Sequence, residues 1–349
     1  MTANRKFSPE LLEIDVAAET EAICQGIRTL LKEQLRRRGL VVGLSGGIDS
    51  SVTAALAVRA LGPNRVLGLE MPERDSAEES LEMSGLVARH LGLKTLREDL
   101  TPTLEALSFY ERYAAAVRQV IPEYGMGWRS KIVSPDITQT DGYTLFSIVA
   151  QSPDGRVSRC RLPLRAYLEI VAATSFKKRT RQMLEYYHAD RLHFAVAGTP
   201  NRLEYDQGFF VKQGDGAADI KPIAHLYKSQ VYQLAEYLQI PEQVRQRAPT
   251  TDTFSLEQGQ DEFYFSLPLR HMDLCLYAKN HAIPACDVAA VIGLDENRIQ
   301  RIFQDIDTKR ATTRYQHLPP LLIADIPEIN RLKGGGHSAT AWPSSNLPT

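Results

Sequence analysis

The fold prediction starts from the segment Gly39–Leu61, GLVVGLSGGIDSSVTAALAVRAL. Leu40 to Leu44 is an unbroken apolar run, which is typical of a buried parallel strand. Ser45-Gly46-Gly47 interrupts that run, and apolar residues recur at helical spacing after Asp49. A strand, a glycine turn and a helix start predict an anion site, because glycines let the backbone approach a phosphate and the first helical N–H groups point at it. The turn lacks the GK[ST] of a Walker loop.

The segments after this stretch predict an α/β fold with a doubly wound parallel sheet. A second apolar strand covers 65–72, a helix covers 76–91, and a third short strand covers 95–100. Alternating strands and helices of these lengths favour parallel strands joined by crossovers. A further buried strand is predicted at 192–197, after a helix that opens at Phe176. Ligands bind such sheets at the carboxyl ends of the strands, where Ser45 falls.

Composition excludes several classes of function. The 349 residues are 43% hydrophobic and 24% charged with a net charge of −1, so nothing indicates nucleic acid or an acidic membrane surface as the main partner. Four cysteines without a CxxC pair argue against a zinc site and favour a reducing compartment. No apolar run approaches the roughly 20 residues of a membrane span, and the first ten residues lack a signal core. We expect a cytoplasmic protein.

The remaining segments are less regular. Residues 1–38 predict an N-terminal helical segment ending in Arg36-Arg37-Arg38, which is either a phosphate patch or a solvated helix end. Residues of about 104–170 read as an insertion with a hairpin, whose strands at 143–150 and 157–162 flank a Pro-Asp-Gly turn. This insertion is a substrate lid, a dimer surface or a purely structural flap. We expect a main domain over 39–262, a helical segment over 263–332 and a disordered tail over 333–349.

Several separated motifs resemble those of a known family. The loop SGGIDSS at 45–51 resembles the pyrophosphate loop of the N-type ATP pyrophosphatases. GTPNRLE at 198–204, FFVKQGDGAADIKPI at 209–223, LYKSQV at 226–231 and PTTD at 249–252 follow in the order found in ammonia-dependent NAD synthetases. The resemblance implies a Rossmann-like adenine nucleotide alpha hydrolase fold. It also implies that ATP adenylates the carboxylate of deamido-NAD and that ammonia then displaces AMP.

The resemblance also implies roles for individual residues. Asp49 and Glu204 match the ligands of Mg²⁺, although each acid alone could be a helix cap or a surface charge. The matches to ATP-binding positions are Ser45, Gly46, Gly47, Asp49, Ser50, Ser51, Thr199, Lys228 and Thr250. The matches around the acyl substrate are Arg179, Lys212, Asp215 and Asp219, and the catalytic candidates are Asp49, Lys228 and Asp219. Asp215 could equally sit in an ordinary glycine turn, and Arg179 could be an ion-pair partner.

Three departures from the family pattern leave the acceptor open. Tyr315-Gln316 stand where the family has a His-Lys pair, so Arg314 or His317 would have to supply the cation. Ser175 replaces a usual asparagine, and the insertion is the third departure. The alternatives are therefore the same ATP chemistry on another carboxylic acid, or a nucleotide-binding regulator without catalysis. Only 39 residues precede Leu40, too few for a glutaminase domain, so we expect free ammonia or a separate glutaminase. The family resemblance further implies a homodimer.

Overall fold

The computed structural model describes residues 6–134, 146–250, 253–259, 264–265, 267–324 and 326. The chain up to Gln316 forms one compact unit, and a second unit begins at His317. The predicted tail at 333–349 lies outside the described residues, as do the first positions of the predicted hairpin strand at 143–145 and Thr251-Asp252 of the PTTD motif. The predicted domain boundaries at 38, 262 and 332 remain predictions.

The strands of the described residues are β1 Leu40–Gly43, β2 Val66–Glu70, β3 Lys94–Arg97, β4 Arg129–Val133, β5 Ser147–Gln151, β6 Val157–Arg161 and β7 Ala195–Ala197. The α-helices are α1 Val16–Thr29, α2 Ile48–Leu61, α3 Glu78–His90, α4 Thr101–Ala106, α5 Phe109–Arg118, α6 Leu164–Leu192, α7 Arg202–Gln207, α8 Lys228–Tyr237, α9 Glu242–Gln246, α10 Leu269–Asn280, α11 Ala285–Ile292 and α12 Glu296–His317. A π-helical turn, Leu30–Leu35, extends α1. No helix in the described ranges is long and apolar enough to cross a membrane.

Four parallel strands form the main sheet in the order β3-β2-β1-β7. The predicted doubly wound α/β fold is therefore confirmed. Alternate residues of β1 belong to different apolar clusters, because successive side chains of a strand point to opposite faces. Leu40 and Val42 pack in the cluster that holds α1, α2 and α8, whereas Val41 packs in the cluster that holds α5 and α6. The central strand is thus buried on both faces, as its unbroken apolar sequence predicts.

The predicted hairpin exists, but it belongs to a larger structure. β5 pairs antiparallel with β6 across the Pro-Asp-Gly turn, and β4 adds a third strand on the other side of β5. The segment before β4 forms the helices α4 and α5, which we did not predict. Phe109 and Tyr113 of α5 are buried against the main sheet, so this part of the expected insertion belongs to the core.

The helix that carries the basic motif is much longer than predicted. We expected it to open at Phe176, but α6 begins at Leu164, directly after Pro163, and runs for 29 residues. Pro163 is the N-cap with an extended backbone, and its carbonyl accepts from the N–H of Tyr167 at 3.0 Å, which begins the helical hydrogen bonding. Alanines and long apolar side chains then continue the helix without a break. The early start lets α6 pack against α5 as well as against β1 and β7 of the main sheet.

Candidate active site

A cavity of about 410 Å³ lies at the carboxyl edge of the main sheet. The strand register explains its position, since Gly43 of β1 pairs with Leu69 of β2, and Val42 of β1 pairs with Ala197 of β7. The segments that follow these three strands therefore leave the sheet side by side. Their residues Ser45, Met71 and Thr199 all line the cavity. The predicted binding edge of the sheet is the edge that the cavity occupies.

The glycine turn after β1 forms one wall of this cavity. Gly46 adopts φ +74°, and a side chain there would clash with the backbone of Ser80 on α3, so the turn needs glycine at this position. Helix α2 begins at Ile48, directly after Gly47. Its first N–H groups face the cavity. The hydroxyl groups of Ser45 and Ser50 face it too, and their Oγ atoms lie 3.1 Å apart. This is the geometry of an anion site.

Lys228 and Asp49 meet inside the cavity. The Nζ of Lys228 donates a hydrogen bond to Oδ2 of Asp49, and Asn201 donates to Oδ1 of the same carboxylate at 3.1 Å. The side chain of Lys228 is 2% exposed. Burial alone would lower its pKa, but the carboxylates of Asp49 and Glu204 outweigh that effect and raise it. Lys228 is therefore a fixed positive charge beside the anion loop.

A buried carboxylate fixes the backbone of Lys228 at the start of α8. Asp273 of α10 is fully buried, and its two carboxylate oxygens accept from the backbone N–H groups of Lys228 at 3.1 Å and Ser229 at 2.7 Å. These are the first N–H groups of α8, which have no partner within their own helix. Burial raises the pKa of Asp273 to about 6. A side chain from another helix thus caps α8 and fixes the residue that starts it.

Glu204 lies at the cavity beside the same group. It forms a reciprocal capping box with Asn201 at the start of α7: Asn201 accepts from the N–H of Glu204, and Glu204 accepts from the N–H of Asn201, both at 3.2 Å. Asn201 therefore touches Glu204 and Asp49 at once, which brings the two predicted metal ligands to one place. The described residues contain no group of three or more His, Cys, Asp or Glu side chains suited to a metal ion. Two carboxylates fit an ion that takes its other ligands from phosphate and water.

Most of the predicted ATP-binding residues line the cavity, namely Ser45, Gly47, Asp49, Ser50, Thr199, Lys228 and Thr250. Gly46 and Ser51 do not. Ser51 is 1% exposed, and its hydroxyl donates to the carbonyl of Gly47 at 2.8 Å. Gly46 and Ser51 thus lie behind the cavity wall, and their predicted contact with ATP remains a prediction.

The predicted acyl-substrate residues separate into two groups. Asp215 lines the cavity, accepts from the N–H of Val211 at 2.8 Å and pairs with Lys178 at 2.8 Å. Arg179, Lys212 and Asp219 do not line it. Arg179 is exposed, and its Nε donates to the carbonyl of Lys212 at 3.3 Å.

The other two outlying residues hold backbone segments together. Asp219 accepts from the N–H of Val196 at 2.7 Å and so ties the GDG segment to β7. The structure therefore places this catalytic candidate outside the cavity. Lys212 donates to the carbonyl of Tyr315 at 2.8 Å. This contact joins the GDG segment to the position where the family pattern has a histidine.

A row of residues on α6 lines the cavity, and of these the sequence had singled out only Ser175, as a departure from the family pattern. They share one face of the helix at spacings of three and four and are Val171, Thr174, Ser175, Lys178, Arg181, Gln182 and Glu185. Burial and the charge of Asp215 raise the pKa of Glu185 to about 8, while Arg181 opposes the shift. A lone glutamate in a basic helix reads as a solvated charge. Only its spacing from Lys178 and Gln182 could have marked it as facing inward.

A buried ion pair fixes the loop after β2. Lys177 Nζ lies 2.6 Å from Glu73 Oε1, and the side chains are 3% and 1% exposed. Tyr110 donates to the other oxygen of Glu73 at 2.9 Å. Burial alone would raise the pKa of Glu73, but the Lys177 ammonium holds it below its usual value. The pair ties the loop that carries Met71 to α6 and α5.

The fold and this cavity define a nucleotide-binding α/β enzyme with an anion loop of the ATP pyrophosphatase type. A family model described as NAD synthase matches residues 19–121 and 159–315. The chain is 56% identical over 323 residues to an NH(3)-dependent NAD(+) synthetase of Rhizobium meliloti (strain 1021), covering 93% of this chain and 96% of that one. The chain belongs to the NAD synthase family of C–N ligases, as the motifs at 45–51 and 198–231 predict.

Two solved structures share the fold. An NMN synthetase from Francisella tularensis has a TM-score of 0.59 and 19% identity, covering 89% of this chain and 99% of that one. An NH3-dependent NAD synthetase from Campylobacter jejuni subsp. jejuni NCTC 11168 has a TM-score of 0.57 and 23% identity, covering 89% of this chain and all of that one. The family model leaves out residues 122–158, which hold β4, β5 and the start of β6.

Proposed function

We propose that this chain catalyses the ATP-dependent amidation of deamido-NAD to NAD with ammonia. The carboxylate oxygen of deamido-NAD attacks the α-phosphorus of ATP, and the bond to the β-phosphate breaks and releases pyrophosphate. Ammonia then attacks the acyl carbon, the bond to AMP breaks, and one proton is released. The observation that carries the proposal is the meeting of Lys228, Asp49 and the 45–51 loop in one cavity, in a chain 56% identical to an NH(3)-dependent NAD(+) synthetase.

The chain supplies the electrostatics for the first step. The N–H groups at the start of α2 and the serine hydroxyls of the loop would bind the leaving pyrophosphate. The buried ammonium of Lys228 would stabilise the charge that develops there, because a preorganised charge in a dry site needs no reorientation during the reaction. We propose that Asp49 and Glu204 hold a Mg²⁺ ion that arrives with ATP. That ion would neutralise phosphate charge.

The acyl substrate would enter along residues 167–178 of α6 and the GDG segment. Phe146, Tyr167 and Phe209 line this part of the cavity and offer aromatic surface, while Asp215 and Lys178 offer charge. In this proposal Lys212 and Asp219 support the wall from behind, since their side chains hold Tyr315 and Val196. Arg179, which is exposed beside this wall, remains a predicted substrate residue.

We further propose a homodimer formed through α6. Four large apolar side chains stand exposed along this helix: Leu164 at 72%, Leu168 at 53%, Met183 at 57% and Tyr187 at 60%. Exposed large apolar side chains at both ends of one helix favour an interaction surface there. A second copy of the chain would cover them. We also place the protein in the cytoplasm, where ATP is available and where its four cysteines would stay free, as they are in the structure.

Pyrophosphate release tests the proposed function. The protein is incubated with MgATP and ammonium, with deamido-NAD, with nicotinate mononucleotide or with neither, and the products are identified by mass. Release that requires deamido-NAD and yields NAD supports the proposal. Release only with nicotinate mononucleotide or another carboxylic acid contradicts the acceptor, and no release with any acid contradicts the reaction.

A further inference from the structure

Glu185 is the last member of the α6 row that lines the cavity. The row runs from Val171 to Glu185, about 21 Å of helix at 1.5 Å per residue, and Glu185 lies where α6 meets the end of β1. A methyl group placed on Gly43 would come within 2.5 Å of Glu185 Oε1. The missing side chain at Gly43 therefore leaves the room in which this carboxyl group lies against the edge of the sheet.

The carboxyl group of Glu185 forms no ion pair or hydrogen bond with a described residue. Arg181, one turn away, instead donates to the carbonyl of Met71 at 3.3 Å. Asp215 faces Glu185 from the GDG segment and is itself paired with Lys178. The neighbouring β1 residue, Gly43, brings no charge. A polar group with no protein partner beside a ligand cavity is available to the ligand.

The position of Glu185 in the cavity indicates which part of a bound ATP it would contact. A triphosphate on the 45–51 loop lies beside Ser45, which is two residues, or about 7 Å, beyond Gly43 along the strand direction. A nucleoside attached to that triphosphate can extend along the sheet edge. The apolar side chains Leu44, Met71 and Pro72 line that edge and give a flat base a surface to pack on. Glu185 stands at the side of this surface.

We infer that Glu185, as a neutral carboxylic acid, hydrogen-bonds the edge of the adenine base of ATP. A neutral acid offers one O–H donor and one C=O acceptor. Adenine offers the matching pair, a ring nitrogen that accepts and an N6 amino group that donates. An ionised carboxylate would turn an acceptor toward the ring nitrogen and place a negative charge near the polyphosphate. The raised pKa of Glu185 keeps the neutral form populated at pH 7. The inference rests on the proposed use of ATP.

Calorimetric titration with MgATP and with magnesium tripolyphosphate, which lacks the nucleoside, tests the assignment. At pH 7 we expect E185A to weaken ATP binding about 10-fold through the two lost hydrogen bonds and to leave tripolyphosphate binding unchanged. E185Q, whose amide also offers a donor and an acceptor, should stay within about two-fold of the wild type. Between pH 7 and 9 the wild type should lose affinity for ATP while E185Q keeps it. The exposed-site variant E236Q serves as the matched control and should follow the wild type.

Four results would overturn the inference. E185A could bind ATP as well as the wild type, it could weaken ATP and tripolyphosphate equally, or it could weaken deamido-NAD and leave ATP unchanged. If E185A fails to fold, E185Q, which preserves size and packing, still provides a test. An E185Q protein that loses affinity for ATP with rising pH, as the wild type does, also overturns the inference. These are binding measurements, so they stand apart from whether NAD is formed.

Discussion

The ammonium group of Lys228 and the carboxylate of Asp49 form an ion pair across 179 residues of sequence. Lys228 is the first residue of α8, and Asp49 lies in the first turn of α2. Two helix starts are thereby directed to one point at the sheet edge, and Asp273 already accepts hydrogen bonds from the first N–H groups of α8. The pair is the centre of the proposed site, and its two members differ in exposure, with Lys228 at 2% and Asp49 at 16%.

This difference in exposure predicts unequal effects of breaking the pair. D49N leaves a buried ammonium without its partner carboxylate and should lower the free energy of unfolding by about 3 kcal/mol. K228M leaves a carboxylate that water reaches, so its cost should be smaller. Both variants should reduce pyrophosphate release at least about 100-fold. Denaturant unfolding and a pyrophosphate assay measure the two effects, with D154N at an exposed surface pair as the control. A D49N enzyme with wild-type turnover would contradict this role.

Removing the cap that Asp273 provides should loosen the start of α8. D273A deletes both acceptors of the N–H groups of Lys228 and Ser229 and should destabilise the protein by about 2 kcal/mol. The KM for ATP should rise because Lys228 is no longer held, while D273N, which keeps one acceptor oxygen, should lie between D273A and the wild type. Steady-state kinetics on all three proteins provide the comparison. An unchanged KM for ATP in a destabilised D273A would show that the cap supports folding only.

The raised pKa of Glu185 predicts that the stability of the protein depends on pH. Its pKa is about 8 in the folded protein against an ordinary value of 4.5, so the folded state binds more protons than the unfolded state between these values. The free energy of unfolding must then fall as pH rises from 4.5 to 8. E185Q should remove this slope, so that its advantage in Tm over the wild type grows toward pH 8. Thermal melts at half-unit pH steps measure it, with E236Q as the control. Parallel curves for E185Q and the wild type would refute the prediction.

The Glu73–Lys177 pair should matter far more than a surface pair of the same type. Replacing Glu73 by Gln or Lys177 by Met leaves a buried charge uncompensated and should cost about 3–5 kcal/mol. The pair Arg165–Glu169, exposed at 83% and 42%, should contribute less than about 1 kcal/mol. Double-mutant cycles on both pairs give the two coupling energies. Equal coupling energies would contradict the proposed fixing of the loop after β2.

Local pattern was sufficient to predict the main sheet and the anion loop. A few neighbouring residues are enough to indicate the apolar run at 40–44, the turn at 45–47 and the second strand. Parallel strands then bring their carboxyl ends to the same edge of the sheet. The convergence of Asp49, Glu204 and Lys228 required the family resemblance, because no local signal links residues so far apart in the chain.

Other features depend on tertiary contacts that the sequence does not display. The early start of α6 at Leu164 and the helix α5 were not predicted. Both lie in the segment that was expected to be an insertion, yet their apolar residues face the main sheet. Asp219 matched a family position, yet its carboxylate holds Val196. Glu185 was missed because burial by other elements, rather than its own neighbours, decides whether a glutamate is charged.

An oxygen-isotope transfer experiment tests whether the carboxylate of deamido-NAD attacks the α-phosphorus of ATP. Deamido-NAD carrying ¹⁸O in its nicotinate carboxylate is converted with MgATP and ammonium, and the nucleotide and phosphate products are examined by mass. Adenylation at this site predicts one ¹⁸O atom in each AMP formed and none in pyrophosphate. Formation of ADP with ¹⁸O in inorganic phosphate would show attack at the γ-phosphorus instead and would contradict the account.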